Sequence, residues 1–236
     1  MNGAVTANRI LEGDRRALAR LITAIEAGDP AAERLVSEIV DSAASARRVG
    51  VTGPPGAGKS TLVNSMVREL RSRGDTVAVL AVDPSSPITG GALLGDRIRM
   101  QGHVDDPDVY IRSMASRGHL GGLAPAASPT IAVLARAGFD VVVVETVGVG
   151  QSEIEVMDLV DVVVLVLGPG WGDQIQADKA GIVEITDVFV VNKGDRPGVD
   201  TVHRALLESL GDSQTPVLVT TALTGEGVPA LVDTIR

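Results

Sequence analysis

The stretch that decides the fold is residues 49–61, which read VGVTGPPGAGKST. Residues 49–52 form an apolar run that predicts a buried strand. After the loop, apolar residues at helical spacing predict a helix: Leu62, Val63, Met66, Val67 and Leu70. Between strand and helix, residues 53–61 match the pattern G-x-x-x-x-G-K-[ST] of a phosphate-binding loop, whose glycines let backbone N–H groups surround a phosphate chain. We therefore expect an α/β fold that binds a nucleoside triphosphate at this loop.

This loop supplies the first candidate site residues. The Lys59 ammonium is expected to reach the β- and γ-phosphates, and the Ser60 hydroxyl is expected to bind Mg²⁺. The alternative is a Gly- and Pro-rich turn that contains Lys-Ser by chance, which the flanking strand and helix patterns disfavour. The residues expected to contact the nucleotide here are Gly53, Pro55, Gly56, Ala57, Gly58, Lys59, Ser60 and Thr61.

The composition limits both the fold and the function. Of 236 residues, 44% are hydrophobic but only 2% are aromatic, which suits a parallel sheet of Val, Ile and Leu covered by helices. A net charge of −9 argues against nonspecific nucleic-acid binding. The sequence has no cysteine, no apolar run of about 18 residues that would span a membrane, and no secretory pattern. We therefore expect a soluble, cytoplasmic protein without disulfides.

The hydrophobic pattern divides the chain in two. Residues 1–46 predict helices, with Asp14 and Asp29 as N-caps, and we expect this lead-in to pack on the main domain. Residues 47–236 alternate strand and helix, which predicts right-handed crossovers and a mainly parallel sheet flanked by helices. The predicted strands are residues 49–52, 77–82, 109–112, 141–145, 162–167, 188–191 and 217–220. Ligands of such sheets bind at the carboxyl ends of the strands, where the motifs below fall.

A second nucleotide motif, Asn192-Lys193-Gly194-Asp195, follows the strand predicted at 188–191. It matches the N-K-x-D element by which GTPases recognise guanine, because the Asp195 carboxylate can accept from the ring N–H and the exocyclic amine side by side. Adenine would leave that carboxylate buried and unpaired. The stem of Lys193 is expected to lie over the base, and Asn192 to tie this loop to the phosphate loop. The alternative is a polar turn at a strand end.

An accessory loop follows the last predicted strand. Residues 221–225 read TALTG, and the backbone of Thr221, Ala222 and Leu223 is expected to contact the guanine oxygen.

A third motif leaves the strand predicted at 141–145. Glu145 is expected to hold Mg²⁺ through water or to orient the attacking water, and Gly148 to offer its N–H to a γ-phosphate. Loss of that hydrogen bond on hydrolysis would make this loop a switch. The alternative is that Glu145 caps the next helix.

The strand predicted at 77–82 is followed by further acidic and basic candidates. Asp83 and Asp96 are hard oxygen donors that suit Mg²⁺, and Arg97 or Arg99 could supply transition-state charge. Ordinary turn chemistry and surface salt bridges are the alternatives. Only three of the 21 basic residues are lysines, and since two of them lie in the nucleotide motifs, the third, Lys179, is either functional or a solvated helix charge.

Two long segments resemble signature sequences of one family. Residues 82–100 read VDPSSPITGGALLGDRIRM and residues 145–153 read ETVGVGQSE; both are similar to segments of the MeaB/ArgK family, whose human member is the methylmalonic aciduria type A protein. The similarity extends from residues 13–20 to the last motif. It implies the P-loop NTPase fold of the SIMIBI class, the group that also holds the signal-recognition and nickel-insertion GTPases.

The resemblance implies a GTPase that acts as a chaperone of an adenosylcobalamin-dependent acyl-CoA mutase, gating cofactor loading and protecting the mutase. It implies that Lys59, Asp83, Asp96 and Glu145 are the nucleotide and Mg²⁺ residues needed for hydrolysis. Residues 173–179, DQIQADK, resemble an additional family switch. The switch and coupling candidates are Arg97, Arg99, Gln151, Gln176 and Lys179. Longer members carry a helical arm that contributes to a homodimer; because the sequence stops at Arg236, dimerisation stays open, as does the identity of the mutase.

Two other classes of function are weighed against this one. A small-molecule kinase could use the same phosphate loop, but the sequence shows no separate acceptor motif, and the guanine motif makes ATP a poor donor. A metal-insertion GTPase would need Cys or clustered His, whereas this chain has no Cys and its three histidines, His103, His119 and His203, show no ligand spacing.

Overall fold

The computed structural model describes residues 5–42, 45–83, 101–103, 105–115, 126–146, 157–171 and 184–236. Within these residues seven strands form one sheet in the order β3-β2-β4-β1-β5-β6-β7. Every neighbouring pair is parallel. The strands are β1 Arg47–Thr52, β2 Val77–Asp83, β3 Val109–Ala115, β4 Val141–Thr146, β5 Val162–Leu167, β6 Val188–Asn192 and β7 Val217–Thr220.

The strands lie where the apolar runs predict them. Strands β4, β5 and β6 are buried along their whole length, as expected for strands with helices on both faces. The largest difference is in β3, which continues three residues past the predicted end at Arg112 to Ala115. It does so because the whole of β3 pairs with β2, from Val109 opposite Val77 to Ala115 opposite Asp83. The expected parallel α/β sheet is confirmed.

Seven α-helices and a short 3₁₀ turn at Gln101–His103 accompany the sheet in the described part of the chain. The helices are α1 Ala7–Leu11, α2 Arg15–Glu26, α3 Pro30–Val40, α4 Lys59–Ser72, α5 Ala127–Leu134, α6 Val199–Leu210 and α7 Val228–Ile235. The predicted caps are confirmed. Asp14 accepts from the backbone N–H groups of Arg16 and Ala17, and Asp29 accepts from that of Ala31, one residue after Pro30.

One face of the sheet carries α4 and α7. The five apolar residues predicted for the core side of α4 are all 0% exposed, and they pack with Val49, Val51 and the alternate residues of neighbouring strands. Each such side chain contributes about 1.5–3 kcal/mol through burial. This packing holds α4, and therefore the loop that starts it, against the centre of the sheet.

The opposite face carries the remaining helices. Helix α5 contacts β2 and β4, and α2 and α3 pack on α5, so that Ile22 and Ile39 share one buried cluster with the strand residues Leu80 and Val144. Helix α6 covers β5 and β6 through Val202 and Leu206. The Arg15 guanidinium also lies 4.3 Å from the centre of the Phe139 ring, which joins the start of α2 to the edge of the sheet before β4.

No helix in the described ranges is long and apolar enough to cross a lipid bilayer. The division of the chain at residue 46 stays a prediction.

Candidate functional site

The phosphate loop lies at the carboxyl end of β1, between that strand and α4. Gly58, with φ of 95°, is the N-cap of α4, so the first N–H groups of the helix point toward the loop. Gly53 has φ of 142°, and a Cβ there would lie 2.0 Å from the Val166 carbonyl oxygen of β5. Only glycine fits that position, because the loop passes directly against the neighbouring strand.

Two of the three lysines lie across this loop. Lys59, 7% exposed, donates from Nζ to the carbonyl oxygens of Gly53 at 2.6 Å and Pro54 at 3.2 Å. Lys193 donates from Nζ to the Gly56 carbonyl oxygen at 2.7 Å. Two ammonium groups therefore converge on one short loop, where they can balance the charge of a phosphate chain. Lys193 has φ of 64° and is the only residue other than glycine with positive φ in the described ranges.

Ser60 and Glu145 meet beside the loop. The Ser60 hydroxyl donates to Glu145 Oε1 at 2.6 Å, and the two residues are 7% and 5% exposed. They meet because β1 and β4 are neighbours, with Val51 opposite Glu145. Hydroxyl and carboxylate oxygens are the hard donors that Mg²⁺ takes, so this pair fits the ion that the fold implies. The alternative role of Glu145, as a cap of the next helix, stays a prediction, because the residues after Thr146 lie outside the described ranges.

Asp83 lies at the same edge of the sheet. It is the last residue of β2, which pairs with β4 through Ala81 opposite Glu145. The carboxyl ends of β1, β4 and β2 are therefore adjacent. The side chain of Asp83 lies outside the described part of the chain.

Asn192 connects the phosphate loop to the second motif. Its Nδ2 donates to the Ala57 carbonyl oxygen at 3.0 Å, and its Oδ1 accepts from Thr220 Oγ1 and from the Ala222 N–H, both at 3.1 Å. Asn192 is 2% exposed, so these hydrogen bonds are shielded from water. The expected tie between the two motifs is present in the structure.

A recess of about 110 Å³ lies where the predicted base-binding segments meet. It is lined by Gly58, Thr61, Asn192, Lys193, Asp195, Arg196, Thr221, Ala222 and Leu223. The Asp195 side chain is 52% exposed, and its Oδ2 lies 3.8 Å from Arg196 Nε. An ion pair this long and exposed contributes little to stability, so Asp195 keeps its capacity to accept hydrogen bonds from a ligand.

The loop after β7 closes one side of the recess. The Thr221 N–H donates to the Glu226 carbonyl oxygen at 2.9 Å, and the Thr224 N–H to that of Thr221 at 3.0 Å. The Ala222 carbonyl oxygen accepts from Ser65 Oγ of α4 at 2.5 Å. The loop is thus anchored on its buried side, while Leu223 is 77% exposed at the recess.

Sequence reasoning missed three residues of this site, Ser65, Arg196 and Thr220. Thr220 ends a predicted strand next to a predicted loop, and this position at a strand end indicates a site residue. Ser65 carries a weaker signal: it is a polar residue on the apolar side of a helix, four residues after Thr61.

Seven predicted site residues lie outside the described part of the chain: Asp96, Arg97, Arg99, Gly148, Gln151, Gln176 and Lys179. The structure brings the others together at one edge of the sheet, apart from the undescribed side chain of Asp83. In the described ranges no group of three or more His, Asp or Glu side chains could hold a metal ion.

The fold and this edge define the class of protein. Three features together define a P-loop GTPase. The phosphate loop lies between a central parallel strand and a helix, the next strand carries a buried carboxylate, and an Asn-Lys-x-Asp segment lies two strands away on the other side. Comparison with known families is consistent with that class. Residues 18–236 match the family described as methylmalonyl Co-A mutase-associated GTPase MeaB. The chain belongs to the MeaB family.

Individual relatives support the assignment. A protein of Pyrococcus horikoshii whose name describes it as a GTPase is 49% identical over 97% of this chain and 75% of its own length. The mitochondrial methylmalonic aciduria type A homolog of Mus musculus is 36% identical over 96% of this chain and 60% of its own length. The crystal structure of an LAO/AO transport system kinase has a TM-score of 0.76 at 30% identity, over 97% of this chain and 73% of that one. The chain is thus a guanine-nucleotide-binding GTPase.

Proposed function

We propose that this chain is a Mg²⁺-dependent GTPase that acts as a chaperone of an adenosylcobalamin-dependent acyl-CoA mutase, coupling GTP binding and hydrolysis to cofactor loading and mutase protection. The observation that carries the proposal is that Glu145 and Asn192 both form hydrogen bonds with the phosphate-loop segment at one edge of the sheet. The family to which the chain belongs is described as mutase-associated. The mouse relative, named after methylmalonic aciduria, supports the same partner class.

At the phosphate end, we assign binding to the loop and to Lys59. Its ammonium now donates to two loop carbonyls, and a bound phosphate chain would offer it stronger, charged acceptors. Ser60 and Glu145, with Asp83 and Asp96, would hold Mg²⁺, which when bound neutralises charge on the β- and γ-phosphates. We also assign to Glu145 the orientation of the attacking water, and its contact with Ser60, the residue that follows Lys59, supports this role.

At the base end, we assign guanine recognition to the recess. The Asp195 carboxylate accepts from the ring N–H and the exocyclic amine, and the Lys193 stem, fixed by its bond to Gly56, covers the base. Within residues 221–223 we assign the donor to the guanine oxygen to the Leu223 N–H, because the N–H groups of Thr221 and Ala222 donate to Glu226 and Asn192. Asn192 holds this end at a constant distance from the phosphate loop because it bonds to both.

The proposed switch begins where β4 ends. Glu145, near the end of β4, is fixed by Ser60 at the phosphate loop, and Gly148 and Gln151 follow it in the sequence. We propose that they sense the γ-phosphate. Arg97 and Arg99 would supply charge to the transition state, and Gln176 and Lys179 would carry the nucleotide state to the mutase.

The test is GTP turnover in the presence of the partner. Purified protein is mixed with an adenosylcobalamin-dependent acyl-CoA mutase, and phosphate release and cofactor loading are both followed, with Lys59→Ala as the control that removes phosphate binding. We expect the mutase to raise turnover and GTP to change loading, neither occurring with the variant. If the mutase leaves turnover unchanged and GTP leaves loading unchanged, the chaperone proposal is wrong.

The two alternative functions have less support. The kinase alternative is supported only by the name of the similar LAO/AO transport system kinase, and tracing labelled γ-phosphate to water or to a small molecule separates it from hydrolysis. The metal-insertion alternative would need soft or clustered ligands, and the sequence has no cysteine.

A further inference from the structure

Ser65 belongs to neither the phosphate loop nor the guanine motif, yet its hydroxyl contacts a loop of the site. It lies on α4, 4% exposed, and its hydroxyl donates to the Ala222 carbonyl oxygen at 2.5 Å across 157 residues of sequence. A serine within a helix commonly bonds to the carbonyl one turn earlier in the same helix. Here the hydroxyl instead holds a loop that follows the last strand.

The peptide groups around Ala222 are held on both sides. Its N–H donates to Asn192 Oδ1 at 3.1 Å, and its carbonyl oxygen accepts from Ser65. Ala222 is 3% exposed, whereas the next residue, Leu223, is 77% exposed and lines the recess. The position of the recess wall is therefore set by two buried hydrogen bonds, one from the guanine motif and one from the helix that starts at the phosphate loop.

We infer that Ser65 is a positioning residue that sets guanine selectivity, through its hydrogen bond to the Ala222 carbonyl. This inference rests on the proposed base-recognition role of residues 221–223. Without the hydroxyl, a buried carbonyl oxygen loses its donor, and the loop gains by shifting toward water. Such a shift weakens hydrogen bonds from the loop to the 6-oxo group of guanine. It leaves the phosphate end unchanged, because Lys59 and Ser60 do not depend on that bond.

The experiment compares two nucleotides. GDP carries the 6-oxo group and the ring N1–H, and 2-aminopurine riboside diphosphate lacks both while keeping the 2-amino group and the same phosphates. Their dissociation constants are measured by calorimetry or fluorescence for wild type, Ser65→Ala and Ser65→Cys. Ser65→Cys keeps nearly the same volume with a weaker donor, which separates packing from hydrogen bonding. Ser72→Ala is the matched control, since Ser72 lies on the same helix and its hydroxyl donates to the Glu69 carbonyl oxygen within that helix.

We expect both Ser65 variants to bind GDP about fivefold to tenfold more weakly, the range of one lost hydrogen bond, with 2-aminopurine riboside diphosphate binding unchanged. The KM for GTP should rise while kcat stays constant, and Ser72→Ala should match wild type. Unchanged GDP binding in Ser65→Ala would overturn the inference. An equal loss for both nucleotides would overturn it too, since that result indicates a structural role. Failure of wild type to prefer GDP would instead refute the proposed base site itself.

Discussion

Ser60 and Glu145, 85 residues apart in sequence, are joined by a buried hydrogen bond of 2.6 Å. Ser60 is the second residue of α4, the helix after the phosphate loop, and Glu145 is the last but one residue of the neighbouring strand β4. The bond therefore links the part of the site that would bind phosphates to the start of the segment that we propose as a switch. We expect a substitution at either residue to lower the rate of GTP hydrolysis more than it weakens binding of the guanine base.

Replacing Glu145 tests this link. Glu145→Gln keeps an oxygen that can accept from Ser60 but loses the negative charge, so the fold and GDP binding should be retained. We expect GTP hydrolysis to fall about 10²- to 10⁴-fold, as when a residue that orients or activates the attacking water is removed. Phosphate release measures the rate, and Glu208→Gln on the exposed side of α6 is the control. Wild-type turnover in Glu145→Gln would exclude the proposed role.

Two glycines of the phosphate loop should differ in how much their replacement lowers the stability of the protein. Gly53 and Gly56 both have positive φ, but a Cβ at Gly53 would lie 2.0 Å from the Val166 carbonyl oxygen, whereas one at Gly56 meets no atom within 4 Å. Gly56→Ala should therefore cost about 1 kcal/mol of backbone strain, and Gly53→Ala more than about 3 kcal/mol. In thermal unfolding this is a difference of roughly 5 °C or more in Tm for a domain of this size. Equal Tm values for the two variants would contradict the close contact with β5.

Acid stability should depend in part on Asp140. The carboxylate accepts from the backbone N–H and the hydroxyl of Thr76, both at 2.7 Å, and these hydrogen bonds lower the pKa of Asp140 below its ordinary value. A carboxyl whose pKa is lowered by folding stabilises the protein fully above the unfolded pKa, about 4, and loses that contribution as the pH falls through the lower folded pKa.

We therefore expect the Tm of wild type to fall below pH 4 more steeply than that of Asp140→Asn. Asp212→Asn, in the exposed turn after α6, serves as the control and should follow wild type. Parallel curves for wild type and Asp140→Asn between pH 5 and about 2 would show that the contact with Thr76 does not contribute.

Much of the fold follows from local sequence. Mainly apolar runs of four to six residues predict the strands, since a strand buried on both faces is apolar along its length. The strand order does not follow from these runs. Strands β1 and β4 are neighbours, although two other strands lie between them in the sequence, and only the packing of the crossovers decides this.

The residues of the site also fall into two groups, those that the sequence predicts and those that only the structure shows. Gly53, Lys59 and Asn192 belong to short motifs whose spacing specifies their chemistry, so sequence alone indicated them. Ser65 belongs to no motif, because its role depends on a contact with the Ala222 carbonyl, which any residue at position 222 would supply. A contact of a side chain with a distant backbone atom leaves only a weak sign in a single sequence, which for Ser65 is a polar residue on the apolar side of a helix.

The central claim is that the recess beside Asp195 recognises guanine. Xanthine differs from guanine by an oxygen acceptor in place of the 2-amino donor, and an asparagine amide supplies the donor that this oxygen needs. The direct measurement is therefore the pair of dissociation constants for GDP and xanthosine diphosphate in wild type and in Asp195→Asn. We expect wild type to prefer GDP and the variant to prefer xanthosine diphosphate, each by at least about tenfold. If Asp195→Asn still prefers GDP, Asp195 does not contact the base and the assignment of the recess is wrong.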